Sequence, residues 1–320
     1  MRRREFIALA AGAAVARAAI ALAQHKAPVI GILSPAPSEA TPLFDAFRGK
    51  LRDLGYVEGL SIKLDFHLAR GQPEAIPGLA AELLKTPPDV IVGDGVLVVR
   101  TLKNLTTTVP IVGILGPDPV AGGLVASLAR PGGNITGVTT LATDLHSKRI
   151  ELLKELIPRL SQLAVFWDRN NDPRGLMLDA ISDYAKREGM RLDIIEGGRS
   201  DALTQDRLKD ADAVLVSSGP THFNIREEIV RRISASGKPA IYPERDYVVS
   251  GGLMSYGPDV VDVFRRLAEY ADRVIKSAKV ADTPIEQITR IEFVVNTKVA
   301  KAISLTIPPT LLARADEVIE

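Results

Sequence analysis

No cysteine occurs anywhere in the chain. That absence excludes a disulfide framework, thiolate zinc sites, iron–sulfur clusters and a cysteine nucleophile, and it is compatible with an oxidising compartment. Histidine is scarce: His25, His67, His146 and His222 are widely spaced, with no H-x-x-H or H-E-x-x-H, so a histidine-built metal site is not expected. Excess charge is missing too. Forty Lys and Arg against 39 Asp and Glu leave a net charge of +1, which gives no global field for a phosphate backbone and argues against nucleic-acid binding. Past the N-terminus no run reaches the ~18 uncharged apolar residues of a membrane span. What is present is a globular composition, 46% hydrophobic and 25% charged over 320 residues, a length that suits two domains.

The first 23 residues read as an export signal. Arg2, Arg3 and Arg4 form a basic start, Ile7 to Ala16 is Ala-rich and uncharged, and Ala21-Leu22-Ala23 is a small-residue cleavage site. Arg3-Arg4-Glu5-Phe6-Ile7 carries the twin-arginine pattern. Arg17 interrupts the apolar run, which argues against an uncleaved anchor, and no cysteine follows to take a lipid. The expectation is a soluble, exported, periplasmic protein without a lipid anchor.

From Val29 onward, short apolar runs alternate with helical periodicity, and the alternation restarts near residue 144. The runs show little polar alternation, as in parallel strands buried on both faces. The fold expected is α/β: two doubly wound parallel-sheet lobes. Gly- and Thr-rich segments at 137–142 and 250–252 are the candidate crossings between lobes.

In such sheets ligands bind beyond the carboxyl ends of the strands. Those ends fall at Ser34-Pro35, Gly93-Asp94-Gly95, Gly116-Pro117-Asp118, Asp168, Ser217-Ser218-Gly219, Tyr242-Pro243-Glu244-Arg245 and Ser255-Tyr256-Gly257. Tyr242 and Tyr256 are the candidate stacking platforms, whereas Trp167 and Tyr184 read as core. P-loop, dinucleotide and nucleophile-elbow motifs are absent, so no cofactor and no catalytic residue is assigned. Asp118 and Asp168 could pair as carboxylates, but nothing local supplies a base, nucleophile or metal, and helix-capping is the better account of them. Glu244-Arg245-Asp246 reads as ion pairing at the surface or between lobes.

Several stretches resemble one family. They are Gly55-Tyr56-Val57-Glu58-Gly59, the run from Leu124 to Gly137 containing Ala129-Arg130-Pro131-Gly132-Gly133-Asn134-Ile135-Thr136-Gly137, Lys148 to Glu155, Gly251 to Pro258, and the tail from Ile307 to Ile319. Together they resemble the ABC-transporter substrate-binding proteins that include tryptophan- and tyrosine-type solute receptors. The resemblance implies a type I periplasmic binding-protein fold, with two lobes on a multi-strand hinge and a small solute in the cleft. It implies lobe one from 28–137 plus 252–286 and lobe two from 138–251 plus 287–320. It places Ser34, Asp94, Gly95, Asp118, Pro119, Thr140, Ser217, Ser218, Tyr242 and Ser255 along the cleft, and makes an inner-membrane ABC permease the partner. An amino acid, aromatic by preference, is the implied solute.

One departure stands out: Asp94-Gly95-Val96-Leu97 replaces the family's Gly-Gly-Thr-Pro, so Val96 takes the place of a hydroxyl that could bind a ligand carboxylate, and a carboxylate appears at Asp94. Asp94 would meet a ligand ammonium or repel an acid. The segment 196–212 is also short, which would trim a helix in lobe two. The competing readings are an enzyme using Asp118 or Asp168, an orphan ligand sensor without its own permease, and a ligand-responsive regulator. The last would need a DNA-binding helix pair where the export signal stands.

Overall fold

The computed structural model describes residues 27–140 and 142–320. The export signal expected over 1–23 lies outside the described residues. The chain runs β1 (Val29–Ser34), α1 (Pro42–Asp53), β2 (Lys63–Leu68), α2 (Ile76–Leu83), β3 (Val90–Gly93), α3 (Val96–Leu105), β4 (Ile111–Ile114) and β5 (Ile135–Thr140). It continues through α4 (Ala142–Leu156), β6 (Gln162–Trp167), α5 (Leu176–Arg187), β7 (Arg191–Glu196), α6 (Gln205–Leu208), β8 (Ala213–Val216), α7 (Pro220–Asn224) and α8 (Arg226–Ala235). Then come β9 (Ala240–Tyr242), α9 (Arg245–Val249), β10 (Met254–Pro258), α10 (Val260–Ile275), β11 (Glu286–Ile288), β12 (Ile291–Asn296), α11 (Thr297–Ala302), α12 (Pro309–Leu312) and β13 (Glu317–Ile319).

Two sheets result. The first has the order β11-β5-β4-β3-β1-β2 and is parallel throughout. The second has the order β13-β12-β10-β9-β8-β6-β7, parallel except where β10 meets β12. The antiparallel join follows from connectivity. After β10 the chain leaves for the first lobe, forms α10 and β11 there, and returns as β12 beside the strand it left. The strands β3 and β8 are buried along their whole length, as central strands covered by helices on both faces should be.

The chain therefore passes between lobes at 140–142, 258–260 and 288–291. This corrects the expected boundaries in three places, one being that β11 keeps 286–288 in lobe one. β5 stays in the first sheet to Thr140, because Gly137 lets its backbone lie against Gly113 of β4 where a Cβ would collide. β10 belongs to the second sheet, so 252–258 is part of lobe two. The Gly-rich stretch at 250–252 is accordingly a turn within lobe two. Its glycine is needed for packing: a Cβ on Gly252 would stand 2.7 Å from the Tyr242 ring. The segment 196–212 holds one 3₁₀ turn (Ser200–Ala202) and the four-residue α6.

α10 shows how sequence pattern becomes lobe assignment. Asp259 caps it by accepting from the Val261 and Asp262 amides at 2.9 and 3.2 Å. Its apolar stripe, Val263, Phe264, Leu267 and Tyr270 among others, packs with Phe44 and Phe47 of α1 over β1 and β3. A helix late in the sequence thus completes the first core. Trp167 is buried in the second. None of the described helices is long and apolar enough to cross a membrane.

Candidate functional site

Between the lobes lies a cavity of about 570 Å³. Its first wall is the loop after β1, the first turn of α1, Asp94 and Val96 at the end of β3, Gly116 and Pro117 after β4, and the first turns of α10. Its second wall is Asn171, Met177, Ser218 to Pro220, the segment from Phe223 to Glu228, Glu244 and Asp246. Strands of both sheets aim their carboxyl ends at this space, so the amino ends of α1, α3, α8 and α10 surround it. Each such end favours negative charge.

The surface is amphiphilic. Phe44 and Phe264 meet edge to face with ring centroids 5.6 Å apart, and Phe223 lies on the facing wall. The Arg226 guanidinium sits 4.8 Å over the Phe223 ring and donates to the Phe223 carbonyl at 3.1 Å. Arg226 forms no ion pair among the described residues, and its Nε is buried without an acceptor.

Asp94 is the acidic group of the first wall and is 7% exposed. Ser34 donates to its Oδ2 at 2.6 Å and receives the Ala36 amide at 3.0 Å. Burial pushes the Asp94 carboxyl up to about 6, with the Ser34 hydrogen bond opposing the rise. On the second wall, burial pushes Glu244 up to about 8, opposed by Arg149 and Arg226 and assisted by Asp246.

Behind that wall Arg149 is fully buried. It donates to the Tyr256 carbonyl at 2.7 Å, to His146 Nδ1 at 3.2 Å, to the Ser218 hydroxyl at 3.3 Å and to the Pro243 carbonyl at 3.3 Å. With Nδ1 accepting, His146 carries its proton on Nε2, 3.3 Å from the Met177 sulfur that lines the cavity. Burial and the adjacent Arg149 push the His146 pKa well down, so the ring is neutral.

Of the ten positions the resemblance placed along the cleft, Asp94 and Ser218 line the cavity. Ser34 is sealed behind Asp94. Gly95 is where the lobes touch: its φ is +97°, and a Cβ there would lie 2.7 Å from Pro220 of the other lobe. Thr140 ends β5, and its side chain lies outside the described residues. The remaining five are elsewhere. Asp118 is exposed and accepts the Ala121 amide at 2.8 Å, and Pro119 is buried in the same turn, its carbonyl taking the Leu124 amide at 2.8 Å. Ser217 is buried against His222. Tyr242, the last residue of β9, pairs in register with Ser255 of β10, so both project from the sheet's faces. Tyr242 stacks on Tyr247, centroids 5.2 Å apart, in the lobe-two core. Tyr256 packs edge-on to Phe293. Neither tyrosine lines the cavity; Phe44, Phe223 and Phe264 supply its aromatic surface.

Asp168 accepts the Asn170 amide at 3.0 Å and does not line the cavity. Arg245 forms the expected surface pair, with Glu317 at 2.6 Å, but Glu244 is buried and forms no ion pair among the described residues. No group of three His, Cys, Asp or Glu side chains suited to a metal occurs among the described residues.

The sequence pattern of the ABC transporter substrate binding protein family matches residues 38–319. The chain belongs to that family. It is 28% identical over 269 residues to a tyrosine-binding protein of Clostridioides difficile (strain R20291), spanning 80% of this chain and 74% of that one. Among solved structures it resembles a conserved domain protein of Vibrio cholerae O1 biovar El Tor (TM-score 0.83, 24% identity, 92% of this chain and 100% of the other). It also resembles the ABC domain from Streptococcus pneumonia in complex with L-Trp (TM-score 0.82, 24% identity, 92% and 100%). As a substrate-binding protein of this family the chain binds a solute and is not an enzyme, which removes the reading built on Asp118 or Asp168. Its two lobes have the type I periplasmic binding-protein fold.

Proposed function

We propose that the chain is the exported receptor of an ABC importer. It captures an amino acid with an aromatic or large apolar side chain between its lobes and presents it to an inner-membrane permease. The observation that carries this reading is the cavity itself: about 570 Å³, within the ~300–1,000 Å³ range of small-molecule sites, lined by both lobes and amphiphilic. Asp94 receives the ammonium. The surrounding helix amino ends favour the carboxylate. Phe44, Phe223 and Phe264 enclose the side chain. The relatives named for tyrosine and solved with L-Trp support the class. The twin-arginine pattern at Arg3-Arg4 supports export to the periplasm, and the lack of a cysteine after Ala23 supports a protein free of lipid.

The mode of action follows from what joins the lobes. Among the described residues no side-chain hydrogen bond and no ion pair crosses from one lobe to the other; Gly95 against Pro220 is a contact of apolar surfaces. The protein's own polar groups therefore supply little to hold the cleft shut, and a ligand touching both walls supplies the differential affinity that does. The expected result is a measurable fall in the radius of gyration on adding a bound amino acid, read by small-angle scattering. A parallel change should appear in the fluorescence of Trp167, whose indole donates to Asp172 at 3.0 Å beside the cavity-lining Asn171. A panel of amino acids that produces neither compaction nor a fluorescence change would refute the proposal.

A further inference from the structure

Glu244 is an acidic group of the cavity wall that the fold leaves without a hydrogen-bond partner among the described residues. It follows Pro243 at the carboxyl end of β9, is 5% exposed, and faces the cavity. Its Oε2 is fully buried, and neither carboxyl oxygen has a hydrogen bond among the described residues. Both cations nearby are otherwise engaged. Every nitrogen of Arg149 has a neutral acceptor, and Arg226 is turned onto Phe223. An acceptor left bare in a dry wall weakens folding by about 1–3 kcal/mol unless something else fills it.

We propose that Glu244 is the specificity residue of this site, pairing with a neutral hydrogen-bonding tip on the ligand side chain, of the phenol-hydroxyl or indole N–H class. The proposal rests on the amino-acid reading above. Asp94 anchors the ammonium on lobe one, while Glu244 stands on lobe two, so a ligand closing the cleft carries its distal end toward Glu244. The space between is lined by Phe44, Phe264 and Phe223, which suits a flat apolar body. A second cation at the tip is disfavoured by Arg149 and Arg226 beside the carboxyl. Burial holds Glu244 protonated at neutral pH, so it presents one donor and one acceptor, the complement of a hydroxyl. A ligand with an all-hydrocarbon tip leaves that pair unmatched, and a site built for a hydrogen bond rejects such an analogue strongly.

The test is titration calorimetry at pH 7 with L-tyrosine, L-tryptophan, L-phenylalanine, L-leucine and L-lysine. The purified chain is compared with Glu244→Gln and Glu244→Leu, and thermal melts check folding. Tyrosine or tryptophan should bind the parent at least about tenfold more tightly than phenylalanine. Glu244→Leu should remove that margin while leaving phenylalanine equal or tighter, and Glu244→Gln should keep part of it. Equal parental affinity for phenylalanine, tyrosine and tryptophan would overturn the proposal alone, as would lysine binding best. So would an equal loss for every ligand in a folded Glu244→Leu protein. Binding of none of the five would overturn the amino-acid reading, and this inference with it. The parental comparison decides the matter even if Glu244→Leu does not fold.

Discussion

Asp94→Asn should raise the melting temperature of lobe one at pH 7 and weaken amino-acid binding at least about 30-fold, the loss expected when one partner of a buried charge pair is truncated. The two effects share one cause. The Asp94 carboxyl stands at about 6 in the fold against 3.8 unperturbed, because it is buried and Ser34 compensates only in part. At 1.36 kcal/mol per tenfold change in acidity, holding it ionised at neutral pH costs about 3 kcal/mol. A carboxyl raised on folding stabilises the fold below its unfolded value, and that contribution is lost as pH rises through the folded value. Stability should therefore fall between pH 3.8 and about 6 because of Asp94, and between 4.5 and about 8 because of Glu244. Asp94→Asn should flatten the lower part of that slope, and Glu244→Gln the upper part. Asparagine keeps an oxygen for the Ser34 hydroxyl and removes the charge. A ligand ammonium is what makes the charge useful: it replaces lost solvation with an ion pair, so the parent gains more stability from ligand than the variant does. Thermal melts across pH with and without ligand read both effects. A variant that is no more stable and binds as well as the parent would show that Asp94 is neither strained nor in contact with the solute.

Much of the architecture was legible because both lobes obey a single alternation. The strand at 90–93 and the helix at 96–105 are readable from three apolar residues followed by Gly-Asp-Gly and a periodic stripe. The crossings were less legible. Gly251-Gly252 has the composition of a linker, yet it exists to admit the Tyr242 ring, a contact between residues ten apart that no local pattern records. The site divides the same way. Strand ends point to Asp94 and Ser218 by topology alone. Tyr242 is the last residue of β9 and Ser255 the second of β10, both still paired in the sheet, and strand alternation turns such residues into the core. Phe44, Phe223 and Phe264 sit in the first turns of helices or just before them, on segments far apart in sequence, so only the folded arrangement makes them one wall. Glu244 lies in a run of three charges that looks like surface. Its burial depends on the turn after β9 being pulled inward by Arg149, which takes the carbonyl of Pro243.

Arg149→Met is the substitution expected to cost the fold most. Arg149 comes from the middle of α4, in a stretch whose apolar pattern gives it no special mark, yet it donates to the segments following β8 and β9 and to β10 itself, neighbours in the second sheet. Burial lowers its pKa only to about 10, with Glu244, Tyr247 and Tyr256 opposing the fall, so it remains a cation at neutral pH. Methionine fills much of the volume but leaves the Tyr256 and Pro243 carbonyls without this donor. Each buried acceptor left bare costs about 1–3 kcal/mol. Lysine should not rescue the loss, since one ammonium cannot follow acceptors that diverge around a planar guanidinium. Denaturant unfolding followed through Trp167, the single tryptophan and a core residue of lobe two, reports on the affected lobe. The expected result is a lower midpoint with an unchanged slope, together with weaker ligand binding, because the same cation aligns Ser218 and the Glu244 turn at the cavity wall. A variant within about 1 kcal/mol of the parent, below the usual effect of burying an unmatched polar group, would mean that the strand ends hold their positions without it. The order of the second wall would then have to come from the sheet itself.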